Sequence, residues 1–190
     1  ILIIFIYILF PCQALTKNWT PNQIGAFLSS KMARENADIE AAAYYAKFAY
    51  NRNTESNGLA LIALETLTAN GQVNEAINIS SKIANKIPEI SVVQYLQSLK
   101  FIKSNDYDAV TEIFNNITPT GIDNYILPIL QTWAATSNNK HIEGLEIILN
   151  EANKGILAPI YDYHAALIYE YMGDDEAALK HYQNVINKAN

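Results

Sequence analysis

Half of the 190 residues are apolar and only 7 are Gly and 6 Pro, which supplies material for a sizeable core and excludes a breaker-rich, loop-dominated fold. The formal charge is -6, with acidic and basic residues interspersed and no basic stripe, so the electrostatic footprint of a nucleic-acid binder is missing. Cys12 is the one cysteine, which excludes a disulfide framework.

The chain opens with ILIIFIYILF, ten uncharged and almost wholly apolar residues, followed by Pro11, Cys12, Gln13 and Ala14. This pattern reads as the apolar core of a secretory signal, with cleavage after Ala14. The sequence begins at Ile1 without an initiating Met or a basic stretch ahead of the apolar run, and an upstream extension would lengthen the run to about 20 residues, enough for a membrane anchor. Residues 1–14 are therefore expected to be a signal peptide or an anchor, and membrane contact is expected only if the anchor persists. Cys12 falls inside this segment, so the remaining domain carries no thiol nucleophile or thiolate ligand. Residues 15–22 form a linker and the first helix cap, where Thr20-Pro21-Asn22-Gln23 combines a capping-box pair with Pro at the first helical position.

From residue 23 onward one signature returns. Ala37, Gly71, Asn105, Asn139 and Gly173 are spaced 34 apart, each between two helical patterns. Gly and Asn are the residues that most readily adopt the left-handed conformation needed to leave one helix and enter another at once. Asp38, Asp106 and Asp174 each follow such a turn, where a carboxylate caps free N–H groups. Five residues past the turns stand Ala42, Ala76, Val110, Gly144 and Ala178, small or β-branched residues that let two helices cross closely. Four residues further are Ala46, Ser80, Phe114, Ile148 and Tyr182, on the same helical face. Pro88 falls where a second helix should stop, and Pro128 predicts a kink or a later start for the helix that contains it.

A 34-residue helix-turn-helix unit with Ala-x-x-x-aromatic in its second helix and Pro at its end resembles the tetratricopeptide repeat. The last unit, YHAALIYEYMGDDEAALKHYQ, carries the likeness most fully. The resemblance implies an all-α fold, a right-handed α-solenoid of about five repeats over residues 23–56, 57–90, 91–124, 125–158 and 159–190. The family's first-helix pattern, Trp-x-x-Leu-Gly-x-x-Tyr, is poorly kept: the fourth repeat has Pro128, Gln131, Thr132 and Ala135 there. Taken with its leader, the chain is similar to exported repeat proteins of alphaproteobacteria, which implies a periplasmic or secreted location, or an inner-membrane anchor if the leader stays.

In the family, first helices line a concave groove. Carried over by register, that places Phe27, Lys31, Leu61, Glu65, Tyr95, Leu99, Ile129, Trp133, Tyr163 and Leu167 along it, and implies a protein or peptide partner. An aromatic at helical spacing in a solenoid also packs on the next repeat, so Tyr95 and Trp133 are divided evenly between groove and core. The Lys/Asn arrangement that holds a peptide carboxylate in some members is not kept, since Phe27 and Lys31 occupy the first-repeat positions.

Chemistry is sparse. His141, His164 and His181 show no metal-ligand spacing, and neither a phosphate loop nor a Gly-x-Ser-x-Gly elbow occurs. Asp174, Asp175 and Glu176 cluster at a helix start, where acids cap. Glu55-Ser56 matches the catalytic Glu-Ser of lytic transglycosylases but lacks their downstream Gly-Leu-Met-Gln stretch. The sequence thus predicts a non-catalytic scaffold without cofactor or metal, and the leader and the family resemblance imply a role assisting assembly at the cell envelope. The alternative is a helical superhelix module of a larger cell-wall enzyme. Because solenoids cover their last apolar face, further repeats, a solvating helix or another domain are expected beyond residue 190.

Overall fold

The computed structural model describes residues 21–189; the expected signal or anchor at 1–14 lies outside them. Ten α-helices follow one another among the described residues: α1 (Gln23–Glu35), α2 (Ile39–Arg52), α3 (Asn57–Ala69), α4 (Val73–Ile83), α5 (Ser91–Lys103), α6 (Tyr107–Asn115), α7 (Asp123–Ser137), α8 (His141–Glu151), α9 (Ala158–Met172) and α10 (Asp175–Ala189). Each packs on its predecessor and successor in the chain, giving five helix-turn-helix repeats. No helix among the described residues is long and apolar enough to cross a membrane.

The turns follow from the residues at their centres. Ala37, Gly71, Asn105, Asn139 and Gly173 all have positive φ, between 57° and 79°. In every turn the amide of that residue donates to the carbonyl three residues back. The next amide donates to the carbonyl five back, as in Gln72 to Leu67 (2.8 Å) and Asp174 to Tyr169 (2.9 Å). Two orphan carbonyls are thereby satisfied and the chain reverses in a single step. Asp38, Asp106 and Asp174 then cap α2, α6 and α10, accepting from Ala41, Ala109 and Ala177 at 3.0, 3.2 and 3.1 Å.

Two boundary expectations are corrected. Asn22, not Thr20, caps α1 by accepting from the Gly25 amide at 2.7 Å, so Pro21 precedes the cap instead of opening the helix. A short Asx acceptor directly before the helix supplies what the capping box would have. Pro128 does not delay α7, which begins five residues earlier at Asp123. Pro128, the sixth residue of α7, lacks the N–H that would donate to the Asn124 carbonyl, so the helix runs through it with one backbone hydrogen bond fewer.

The core is a string of local clusters. Ala43, Ala46 and Tyr50 of α2 meet Ala60, Ala63, Leu64 and Leu67 of α3, and the cluster continues into α4 and α5. Val110 and Phe114 of α6 meet Leu127 and Ala134 of α7. Leu145 and Ile148 of α8 meet Tyr161, Ala165 and Ile168 of α9. Each repeat therefore buries its apolar face on its neighbours, as expected of a quasi-one-dimensional fold.

All five predicted crossing residues, Ala42, Ala76, Val110, Gly144 and Ala178, are buried. The first and fourth hairpins add a hydrogen bond in the same register: Ser30 Oγ donates to the Ala42 carbonyl at 2.9 Å, and Thr132 Oγ1 to that of Gly144 at 3.1 Å. At Gly144 the helices come closer still, since a Cβ there would sit 2.8 Å from the Thr132 carbonyl oxygen and 2.9 Å from Thr136 Oγ1. Gly144→Ala is accordingly expected to destabilise. Overpacking against backbone costs about 1–3 kcal/mol, and the roughly 1 kcal/mol that Ala gains as a helix former offsets part of it. Urea unfolding at unchanged or raised stability would show that α7 and α8 can spread apart.

Candidate functional site

The ten groove positions sit on α1, α3, α5, α7 and α9, two per helix, one turn apart. None is buried: Lys31, Glu65, Leu99 and Tyr163 are exposed and the other six half-buried. Contacts between consecutive first helices gather around these positions. Arg34 of α1 reaches Glu65 of α3 (3.5 Å), and Trp133 of α7 meets His164 of α9. A cavity of about 420 Å³ lies against Phe27, Lys31, Arg34, Glu35 and Ile62, with an aromatic and aliphatic floor under charged rims. Further apolar side chains extend the exposed surface of the first helices, among them Ile102, Ile126 and Ile160.

The two aromatics shared between groove and core resolve into tethers. The Tyr95 hydroxyl donates to Asp123 Oδ1 at 3.0 Å, tying α5 to the start of α7, and its ring meets Phe114 edge-on at 6.3 Å. Burial, reinforced by donation to Asp123, pushes the Tyr95 hydroxyl well above its ordinary pKa. Trp133 Nε1 donates to His164 Nδ1 at 3.0 Å while the rings pack edge-on at 6.1 Å. Burial holds His164 below the ordinary histidine value, so the ring is a neutral acceptor at Nδ1. Each aromatic is half-buried and spends its polar atom on the following first helix.

The histidines and acids hold the scaffold together. His141 begins α8 and its ring meets Tyr171 at 5.5 Å. His181 belongs to a cluster that the sequence did not announce. Asp162 of α9 is 1% exposed, and its carboxylate faces His181 Nδ1 at 2.8 Å, Lys188 Nζ at 2.5 Å and Asn184 Nδ2 at 3.4 Å, all from α10. Lys188 also donates to the Ala152 carbonyl at the end of α8 (2.8 Å). Burial pushes the Asp162 carboxyl up, but donation from Lys188, His181 and Asn184 outweighs it and holds the group below the ordinary carboxylate range. One partial signal was available: Asp162 stands in register with Ala26 and Ala60, both fully buried, and with Gln94 and Pro128, both half-buried.

Glu55 and Ser56 have structural roles. Glu55 pairs with Lys86 at 2.7 Å, which holds its carboxyl below the ordinary range, and Ser56 caps α3 by accepting from the Leu59 amide at 3.3 Å. Among the described residues no group of three or more His, Cys, Asp or Glu side chains is placed to hold a metal ion. A second cavity of about 520 Å³ lies between the α6–α7 and α8–α9 junctions, lined by residues that include Asp123, Gln131, Glu151, Lys154 and Tyr161.

No protein-family model and no curated protein matches the sequence. Solved structures do match in fold. A MamA structure titled MamA MSR-1 C2 superposes with a TM-score of 0.69 at 14% identity, covering 88% of this chain and 96% of that one. MamA residues 41 to the end from Desulfovibrio magneticus RS-1 superposes at 0.71 and 13%, covering 88% and 94%. YrrB, titled a TPR protein with an unusual peptide-binding site, superposes at 0.68 and 12%, covering 88% and 86%. At these identities the likeness establishes the tetratricopeptide-type fold.

Proposed function

We propose that this protein is a non-catalytic scaffold that binds a protein or peptide along the shared face of its first helices. The observation that carries the reading is the surface itself. None of the ten groove positions is buried: Leu99 and Tyr163 are exposed apolar side chains, Lys31 and Glu65 exposed charges, and the other six half-buried apolar side chains, four of which also rest on the core clusters. Apolar side chains kept partly open to water beside charged ones are what a polypeptide-binding face requires. YrrB is described by its title as having a peptide-binding site, and the shared fold supports carrying that class of partner over. Export by residues 1–14, a periplasmic or secreted location with an inner-membrane anchor as the other form, and a role in envelope assembly complete the proposal. They rest on the apolar leader and on the family likeness.

Leu99→Asp together with Tyr163→Asp tests the face. Both side chains are exposed, at 36% and 46%, so the helical circular dichroism should stay intact. Capture of the partner recovered by wild-type pull-down from an envelope extract should fall at least about tenfold, since each charge must be desolvated against an apolar partner. Undiminished capture by the folded double variant would move the binding site elsewhere.

A further inference from the structure

We infer that the cavity between the α6–α7 and α8–α9 junctions binds a primary ammonium group carried on an apolar stem, with Asp123 as its counter-ion. The cavity, about 520 Å³, falls in the size range of small-ligand sites. Its described lining lies between Ile117 and Tyr161, at the joints between the third, fourth and fifth repeats and not on an end face of the array. Apolar side chains, among them Leu127, Leu157 and Tyr161, surround one buried charge. Asp123 lines the cavity and is 7% exposed. Its Oδ1 accepts from the Tyr95 hydroxyl at 3.0 Å, and the carboxylate has no other hydrogen bond and no ion pair among the described residues. The other charged side chains of the wall, Glu151 and Lys154, neutralise one another at 2.9 Å. A buried carboxylate with a single neutral donor is short of a cation, and the cavity is where one can reach it.

The wall also offers a second acceptor. Pro128 removes the N–H owed to the Asn124 carbonyl, and both residues line the cavity, so an oxygen one residue from Asp123 lacks its usual donor. The crevice between successive repeats is shared, but this equipment is not. One repeat earlier, Val93, Gln94 and Gln97 line a cavity of about 290 Å³ in the register of Leu127, Pro128 and Gln131. Its described wall has neither a proline inside the first helix nor a buried carboxylate. With Oδ1 engaged by Tyr95, Asp123 offers one oxygen. That suits the compact charge and rotatable donors of an ammonium better than the two-pronged guanidinium. The apolar walls and the rings of Tyr125 and Tyr161 accommodate the stem. None of the ten groove positions lines this cavity, so the site stands apart from the polypeptide-binding face.

Nuclear magnetic resonance titration of the isotope-labelled 190-residue chain with hexylammonium chloride in amine-free buffer tests the inference. The amides of Tyr125, Gly155 and Ile156 should shift and saturate. Hexanol and hexanoate, which keep the stem and lose the positive charge, should bind at least about tenfold more weakly. Asp123→Asn should weaken hexylammonium binding by at least about tenfold. Pro128→Ala, which returns a donor to the Asn124 carbonyl, should weaken it by about two- to tenfold. Ala is the better helix former, so Pro128→Ala keeps the fold and carries the test if Asp123→Asn loses its helical circular dichroism. N-acetyl-lysine-methylamide separates the two sources of such a group. Binding at least as tight as that of hexylammonium would assign the site to a lysine side chain of a partner polypeptide, and weaker binding to a small organic amine. Shifts that do not saturate, hexanol binding as tightly as hexylammonium, or undiminished affinity in the folded variants would overturn the inference.

Discussion

Asp162→Ala should loosen α10 from the array. The carboxylate accepts from three α10 side chains while almost fully buried, so its removal leaves Lys188 and His181 facing a cavity with nothing to accept their hydrogen bonds. Breaking a buried pair on one side costs about 3–5 kcal/mol. Lys188, one-third exposed at its side chain, can turn to water, which points to the lower end, near 3 kcal/mol. Among the described residues α10 packs chiefly on α9, so the loss should appear as local fraying. Amide exchange should accelerate along α10 and the facing turns of α9, with α1 to α6 little changed. Uniform protection in the variant would show that the cluster anchors nothing. The pH dependence has a definite sign. Because the folded carboxyl is held below its unfolded value of about 3.9, its contribution is complete above roughly pH 4 and disappears as pH falls through the depressed folded value. Wild type and Asp162→Asn should therefore differ most near neutrality and converge in acid.

The parts of the fold legible in the sequence are those that one residue type decides locally. A left-handed turn residue is nearly restricted to Gly and Asn, and four of the five turns carry one; Ala37 adopts the same conformation at φ 57° and was recovered by its phase alone. Close crossings demand small side chains, and Gly144 demands the absence of any. The parts that escaped depend on residues far apart in the chain. Whether Tyr95 or Trp133 serves a groove or an interface is decided by Asp123 and His164, 28 and 31 residues away. The Asp162 cluster reads as an ordinary amphipathic helix until α9 and α10 are placed together. At Asn22 the acceptor nearer the helix prevailed as the cap, and at Pro128 the helix that starts at Asp123 continues through the proline with one backbone hydrogen bond fewer.

Trp133 brings the two readings of the groove to a measurable contrast. If it served only a ligand, alanine would leave the fold untouched and remove binding. The hydrogen bond to His164, the edge-on ring pair and the packing against the cluster of α8 and α9 predict otherwise. Trp133→Ala should destabilise the protein by about 2–4 kcal/mol, below the full range for a buried Trp because the ring is half-buried. Trp133→Phe keeps most of the apolar contact and loses the N–H donor, so about 1 kcal/mol is expected. His164 supplies an independent reading. Its burial holds the pKa below the ordinary value of about 6.5, so the neutral ring stabilises the fold fully above that pH, and the contribution falls away as acidification protonates Nδ1 and displaces the indole. In Trp133→Ala water reaches the imidazole, and its titration, followed by the ring resonances in NMR, should shift upward toward the ordinary value. In Trp133→Phe the shift should be smaller. An unmoved titration with stability retained would return Trp133 to the groove as a ligand-facing residue. Lost stability with an unmoved titration would mean that the indole holds α7 through packing alone.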